Sequence, residues 1–99
     1  MKINYSKVSQ SEYEEIIAYL YDNFGRESAI KFSVALIQNL KQVELFPESF
    51  SFYQDTSYRK FMVNPYITVV YKVNNDLNYV EILNFWFNRS NPEVLLKHL

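Results

Sequence analysis

Four cations and one tryptophan carry most of the chemical potential of this 99-residue chain: Arg59, Lys60, Lys72, Arg89 and Trp86. A guanidinium or ammonium group can stabilise negative charge on a bound group, and Arg and Trp are enriched among the residues that dominate macromolecular contacts. Arg59 and Lys60 are adjacent in an alternating stretch, so they point to opposite faces of a sheet. Arg89 follows Trp86-Phe87-Asn88 directly. Two readings stand for this set. The plainer one is solvation of a sheet edge and pairing with Asp or Glu; the sharper one is a contact surface centred on Trp86 and Arg89.

Other chemistries find less support. His98 is the only histidine and there is no cysteine, so a structural zinc site, which takes four Cys or His ligands, cannot be assembled, and thiolate catalysis and disulfides are excluded. A Ser-His pair through His98 would need a distant nucleophile and an orienting carboxylate. With one glycine, Gly25, there is no glycine-rich phosphate loop. Glu12, Glu14 and Glu15 are clustered, but they fall at the start of a helical pattern, where solvated acids are expected from the helix dipole. Paired catalytic carboxylates need distinct buried environments, which this spacing does not provide. No metal and no cofactor is expected.

The elements that must position these residues follow from periodicity. Lys2-Ile3-Asn4-Tyr5-Ser6 alternates as a short strand. Ser9-Gln10-Ser11-Glu12 fits a capping box, and Tyr13, Ile16, Ile17, Leu20 and Phe24 follow with one-face spacing, which predicts a helix over about 9–24. Gly25 falls where a left-handed C-terminal cap would be needed. Ala29, Phe32, Leu36, Leu40 and Val43 make a second helical stripe, widened by Ile30, Val34 and Ile37 and ended by Phe46-Pro47. So short a connection makes the helices an antiparallel hairpin. From Phe50 the period becomes two. Strands are predicted over Tyr58 to Val63, Tyr66 to Val73 and Tyr79 to Phe87, with turns at Asn64-Pro65 and Asn74-Asn75-Asp76. A short helix is expected over Glu93 to Lys97, opened by Pro92. The class is α+β, in the order β-α-α-β-β-β: an N-terminal strand and helix hairpin packed on a C-terminal antiparallel meander.

Composition bounds the rest. The length suits one domain over residues 1–99. A net charge of −1 lacks the basic excess of nucleic-acid binders, so no direct sequence-specific DNA binding is expected. No apolar run approaches the roughly 20 residues of a membrane span, and the first residues lack the hydrophobic stretch of a signal peptide. A cytoplasmic location is the expectation that remains. Nine Tyr and eight Phe suggest rings at the rim of the core or on a contact surface.

Several strings, in order, resemble the RelE/ParE superfamily of type II toxin–antitoxin toxins. They are Tyr13-x-x-Ile16-x-x-Tyr19-Leu20, Phe24-Gly25-x-x-x-Ala29-x-x-Phe32, Leu45-Phe46-Pro47, Arg59-Lys60-Phe61, Tyr66 through Val73, and Ile82-Leu83 followed by Arg89-Ser90-Asn91-Pro92. The resemblance covers nearly the whole chain. It implies a toxin that arrests growth unless a cognate antitoxin wraps it. RelE-like members are ribosome-dependent mRNA endonucleases, whereas ParE-like members are associated with poisoning of DNA gyrase. Against the nuclease pattern, Thr68 stands at the central-strand position of a nuclease Arg, Phe87 replaces a His, and the tail Val94-Leu95-Leu96 offers no Tyr. Cleavage by 2′-hydroxyl attack needs a general base and acid as well as charge stabilisation, and only Arg89 and Arg59 would supply the last. The ParE-like reading is therefore favoured, with an mRNA endonuclease or a non-toxic binding module on the same fold as alternatives. On this resemblance Arg59, Lys60, Trp86 and Arg89 are the candidates for target contact. Tyr5, Tyr13, Ile17 and Phe52, on the strand edge, the hairpin and the following loop, are the candidates for antitoxin contact.

Overall fold

Two amphipathic helices joined by one residue cover one face of a four-stranded sheet in the computed structural model, which describes residues 1–87. The elements are β1 (Lys2–Tyr5), α1 (Lys7–Phe24), α2 (Arg26–Leu45), β2 (Arg59–Asn64), β3 (Ile67–Asn74) and β4 (Tyr79–Phe87). The α+β order and the C-terminal antiparallel meander are those expected. Arg89, His98 and the tail helix expected over 93–97 lie outside the described residues.

The sheet order is β1-β4-β3-β2. β1 runs parallel to β4, with Ile3 opposite Val80 and Tyr5 opposite Ile82. A parallel neighbour requires a crossover, and the helix hairpin, with β2 and β3, supplies it. β3 pairs antiparallel with both β2 and β4. It is an inner strand beside β4, and five consecutive residues, Ile67 to Tyr71, are buried, including Thr68 and Val70 on the face away from the helices. Asn64 and Asn74 build the connecting turns. The Asn64 Oδ1 accepts from the Tyr66 and Ile67 amides at 2.8 and 3.0 Å, and the Asn74 Oδ1 accepts from the Leu77 amide at 3.0 Å.

The core lies between the hairpin and the sheet. Ile16 and Leu20 of α1 and Ala29, Phe32, Leu36, Leu40 and Val43 of α2 meet Phe61, Ile67, Val69, Tyr71, Val80, Ile82 and Phe85 of the sheet. Of the expected stripes, Ile16 and Leu20 of α1 and all five residues of α2 are buried, while Tyr13, Ile17 and Phe24 pack half-buried against them. Ile30, Val34 and Ile37, expected to widen the second stripe, are instead exposed on the outer side of α2.

The first helix begins earlier than the capping-box pattern predicts. Ser6 is its N-cap, and the Ser6 Oγ accepts from the Ser9 amide at 3.0 Å. Ser9 is fully buried and its Oγ donates to the Ser6 carbonyl at 2.9 Å. Glu12, Glu14 and Glu15 therefore lie beyond the first turn, which holds no acidic residue. Gly25 caps both helices at once: its N–H donates to the Tyr21 carbonyl and its own carbonyl accepts from Ala29. Its φ of 90° is positive as expected, but ψ is 176°, an extended mirror-image conformation and not the left-handed helical one. That region belongs almost only to glycine, which explains why the chain's one glycine is here.

Candidate contact surfaces

The sheet face away from the helices is the first surface. Alternation places Lys60 and Met62 of β2, Thr68, Val70 and Lys72 of β3, and Glu81 and Trp86 of β4 on it, because their neighbours Phe61, Val69, Tyr71, Val80 and Phe85 enter the core. Thr68 sits at its centre, paired with Met62 on one side and Trp86 on the other. The Trp86 ring meets Tyr53 edge-on, with centroids 5.2 Å apart, so a loop residue and a strand residue form one aromatic platform. Lys60 is half-buried and Trp86 is exposed.

Arg59 does not join them. It pairs with Tyr71 and shares the helix-side face. Its Nη1 donates to the Phe50 carbonyl at 2.7 Å, and its guanidinium carbon stands 4.0 Å from the centre of the Phe52 ring. Both contacts pin the loop after α2 against β2, with the bridge between Phe52 and Arg59. Phe50 continues into the core against Phe61 and Tyr71, and the Tyr71 hydroxyl donates to the Pro47 carbonyl at 2.6 Å. Burial pushes the Tyr71 hydroxyl up to about 12, against a smaller lowering by Arg59. Of the four expected target-contact residues, the structure brings Lys60 and Trp86 onto one face and engages Arg59 on the other. Arg89 lies outside the described residues.

The second surface is a groove where β1, α1 and α2 meet. A cavity of about 380 Å³ is lined by Tyr5, Gln10, Tyr13, Glu14, Ser33, Leu36, Ile37 and Leu40. Tyr13 spans both helices and the sheet. Its ring packs on Phe32 and Phe85 at 6.3 and 5.8 Å, and its hydroxyl shares a 3.0 Å hydrogen bond with the Ser33 hydroxyl. The Tyr5 hydroxyl is pushed up by burial first, then by the nearby Tyr13 and Glu44. Ile17 lies on the adjoining outer face of the hairpin, beside Tyr21, Ile30, Val34 and Ile37. Of the expected antitoxin contacts, Tyr5 and Tyr13 share this groove and Ile17 borders it. Phe52 lies at the opposite edge of the sheet, under Arg59. β1 is an edge strand, as that expectation requires, whereas the outer side of β2 is partly covered by residues 51–53 through the Lys60-to-Ser51 and Tyr53-to-Tyr58 backbone bonds.

One functional group was misassigned from sequence. Glu12 does not reach back to the helix start; its Oε1 accepts from the Phe85 amide at 3.0 Å and from the Asn84 side chain at 3.3 Å. β1 stops pairing with β4 at Ile82. Leu83 is then the unpaired residue of a bulge, between the Tyr71–Ile82 and Val70–Asn84 pairs. Ser6 holds the edge at this point: its amide donates to the Ile82 carbonyl and its hydroxyl to the Leu83 carbonyl, both at 2.9 Å. Glu12 takes the Phe85 amide, further along the stretch of β4 that β1 does not reach. A carboxylate three residues after a Ser is what a capping box looks like in sequence, so nothing local could have distinguished the two roles. Among the described residues no group of three or more His, Cys, Asp or Glu is placed to hold a metal, and no helix is long and apolar enough to cross a membrane.

A parallel edge strand, a two-helix crossover and a three-stranded antiparallel meander, in this order, constitute the fold of the RelE/ParE toxins. The chain is similar to the chromosomal ParDE TA system from P. aeruginosa, with a TM-score of 0.73 and 12% identity over 90% of this chain and 97% of that one. It is similar also to the YoeB/ParE toxin from Agrobacterium tumefaciens, at 0.65 and 13% over 90% and 100%. The heterotetrameric YoeB–YefM toxin–antitoxin complex from Staphylococcus aureus contains a further similar chain, at 0.61 and 17% over 90% and 98%. No protein-family model and no curated protein sequence matches the chain.

Proposed function

We propose that this chain is a single-domain, cytoplasmic toxin of a type II toxin–antitoxin pair, silenced by a cognate antitoxin and arresting growth by holding a macromolecular target, DNA gyrase foremost. The observation that carries the reading is the likeness of the fold to solved toxin–antitoxin proteins over 90% of the chain, at TM-scores of 0.73 and 0.65. The choice of target rests on the sheet face away from the helices. Its centre is Thr68, buried between Met62 and Trp86, where RNA cleavage would require an ionisable base or a cation. Lys60, Trp86 and, from the sequence, Arg89 are assigned to target contact, with Arg59 holding the loop at Phe50 and Phe52. The antitoxin is assigned to the Tyr5–Tyr13 groove and the open edge of β1, where a helix can fill the groove and a strand can extend the sheet.

Expression of the chain alone should stop growth, and co-expression of the neighbouring reading frame should relieve it. Purified toxin should block supercoiling by gyrase and leave transcripts intact by primer extension. Cleaved transcripts with unaffected gyrase would replace this target by the ribosome-dependent endonuclease reading, which the Tyr53–Trp86 platform beside Lys60 favours as a stacking surface for nucleotides. Normal growth on expression alone would leave a binding module on the toxin fold.

A further inference from the structure

The chemistry of the groove between β1, α1 and α2 narrows what can enter it. Its floor is apolar, made by the buried Leu36 and Leu40 and the ring of Tyr13. Most of the polar groups around that floor are already engaged. The Gln10 Nε2 donates to the Tyr5 carbonyl at 3.1 Å, and the Tyr13 and Ser33 hydroxyls share one bond. Glu14 is the exception: it lines the groove, and its carboxylate has no hydrogen-bond or ion-pair partner among the described residues. Glu44 adds negative charge at the Tyr5 end, close enough to help raise the Tyr5 hydroxyl. Among the described residues no Lys or Arg lines the groove. Lys7 and Lys41 stand beyond its lining, and Arg26 belongs to the adjoining outer face with Ile30 and Val34.

We propose that this groove takes an arginine side chain of the antitoxin, with its guanidinium on the Glu14 carboxylate and its aliphatic stem over Tyr13 and Leu40. The inference deepens the assignment of the antitoxin to the Tyr5–Tyr13 groove and rests on it. A purely apolar anchor would strip water from Glu14 and return nothing for it, which costs free energy; a cation offsets that loss. An acidic anchor would meet Glu14 and Glu44 with like charge and be rejected. Arginine suits the groove better than lysine for two reasons. Its planar fork carries five donors, so it can meet both carboxylate oxygens and still donate to the hydroxyl oxygens of Tyr5 and Ser33. Its plane also stacks on a tyrosine ring and sheds water more readily than an ammonium, and two tyrosine rings line the groove. The remaining space admits apolar neighbours one turn away on the same partner helix, over Leu36 and Ile37.

The experiment is a double-mutant cycle on the complex of the full chain with the product of the neighbouring reading frame, read as the dissociation constant by calorimetric titration. Glu14→Gln should weaken the complex about tenfold, with the circular dichroism of the free chain unchanged. When each arginine of the partner is replaced in turn by methionine, one replacement should show a similar loss. The two losses should not add, so the combined variant should also be about tenfold weaker and not a hundredfold. Glu14→Arg, combined with a change of that partner arginine to glutamate, should recover most of the affinity that either reversal alone removes. Tyr5→Ala locates the site independently. Affinity lost on Tyr5→Ala but kept on Glu14→Gln leaves the groove in place and overturns the arginine in favour of an apolar anchor. A loss on Glu14→Gln that couples to a lysine, or to no cation of the partner, overturns it as well. A complex indifferent to both variants overturns the groove along with the arginine, and absence of any complex overturns the antitoxin reading itself.

Discussion

Replacing Glu12 by Ala tests whether this side chain serves the sheet edge or the helix start. In the structure the loss falls on β4: the Phe85 amide loses its 3.0 Å acceptor and the Asn84 side chain a weaker one at 3.3 Å. A hydrogen bond to a charged group is worth about 1.5–3 kcal/mol, and partial exposure of Glu12 brings the expectation down to roughly 1–2 kcal/mol. With a urea dependence of about 1–3 kcal/mol per molar for a small domain, the unfolding midpoint should fall by on the order of 1 M. Exchange of the Phe85 amide should accelerate more than that of core amides in β3. Glu14→Ala and Glu15→Ala, which remove exposed charges, should move the midpoint by no more than about 0.5 kcal/mol equivalent. A double-mutant cycle with Ser9→Ala completes the test. A capping box makes Ser9 and Glu12 reciprocal partners, whereas here Ser9 bonds the Ser6 carbonyl and Glu12 bonds Phe85, so their losses should add. A coupling above about 0.5 kcal/mol, or unchanged exchange at Phe85, would refute the sheet-edge role.

Ser6→Ala removes a helix cap and leaves the Leu83 carbonyl without its donor; a loss of about 2 kcal/mol by thermal or urea unfolding is expected. Tyr71→Phe deletes the hydroxyl donated to Pro47, for about 1 kcal/mol. It also changes the alkaline limb: the unfolded Tyr ionises from 10.0 and the folded one only from about 12. The unfolded state therefore releases its proton first. This part of the stability is whole below pH 10.0, declines between 10.0 and about 12, and should be missing from the Phe variant's pH profile. Arg59→Ala should lower stability and loosen the loop at Phe50 and Phe52, while Lys60→Ala and Trp86→Ala should reduce growth arrest at near-normal folded stability. Loss of arrest through Arg59 alone, at unchanged stability, would reverse that division.

The fold was legible because both periods are strong: the 3.6-residue spacing of Ile16 and Leu20 and of Phe32, Leu36 and Leu40 marks residues that do enter the core. The strand from Tyr79 to Phe87 matches its expected limits. The start of α1 was misjudged because two serines three residues apart, Ser6 and Ser9, both suit a cap, and a tertiary bond from Ser6 to Leu83 decides between them. The outer stripe of α2 was read as core because Ile30, Val34 and Ile37 have the residue types of a buried face. Periodicity reports which residues share a side of a helix, not whether a neighbour covers that side. For the contact surfaces, the adjacency of Arg59 and Lys60 correctly implied opposite faces. Which face is framed by aromatic residues depends on the loop carrying Phe50, Phe52 and Tyr53, whose path no local pattern encodes.

That loop also helps to separate the two surfaces on one fold. Arg59 and Phe52 close the outer side of β2, so the Lys60–Trp86 face is framed by a fixed wall at one edge. At the other edge no strand covers β1, whose Tyr5 carbonyl accepts from the Gln10 side chain at 3.1 Å, while Ser6 and Glu12 satisfy the stretch of β4 that β1 does not reach. A strand added by a partner is thereby directed to β1 and kept away from the bulge at Leu83. The sheet face assigned to the target and the edge assigned to the antitoxin meet only through β4. Occupying one can therefore silence the other in two ways: by covering it, or by shifting the register that the Leu83 bulge holds. The second route passes through Ser6 and Glu12, so substitutions there should weaken neutralisation by the antitoxin more than they weaken its binding. Equal losses in both would leave coverage as the sole means of silencing.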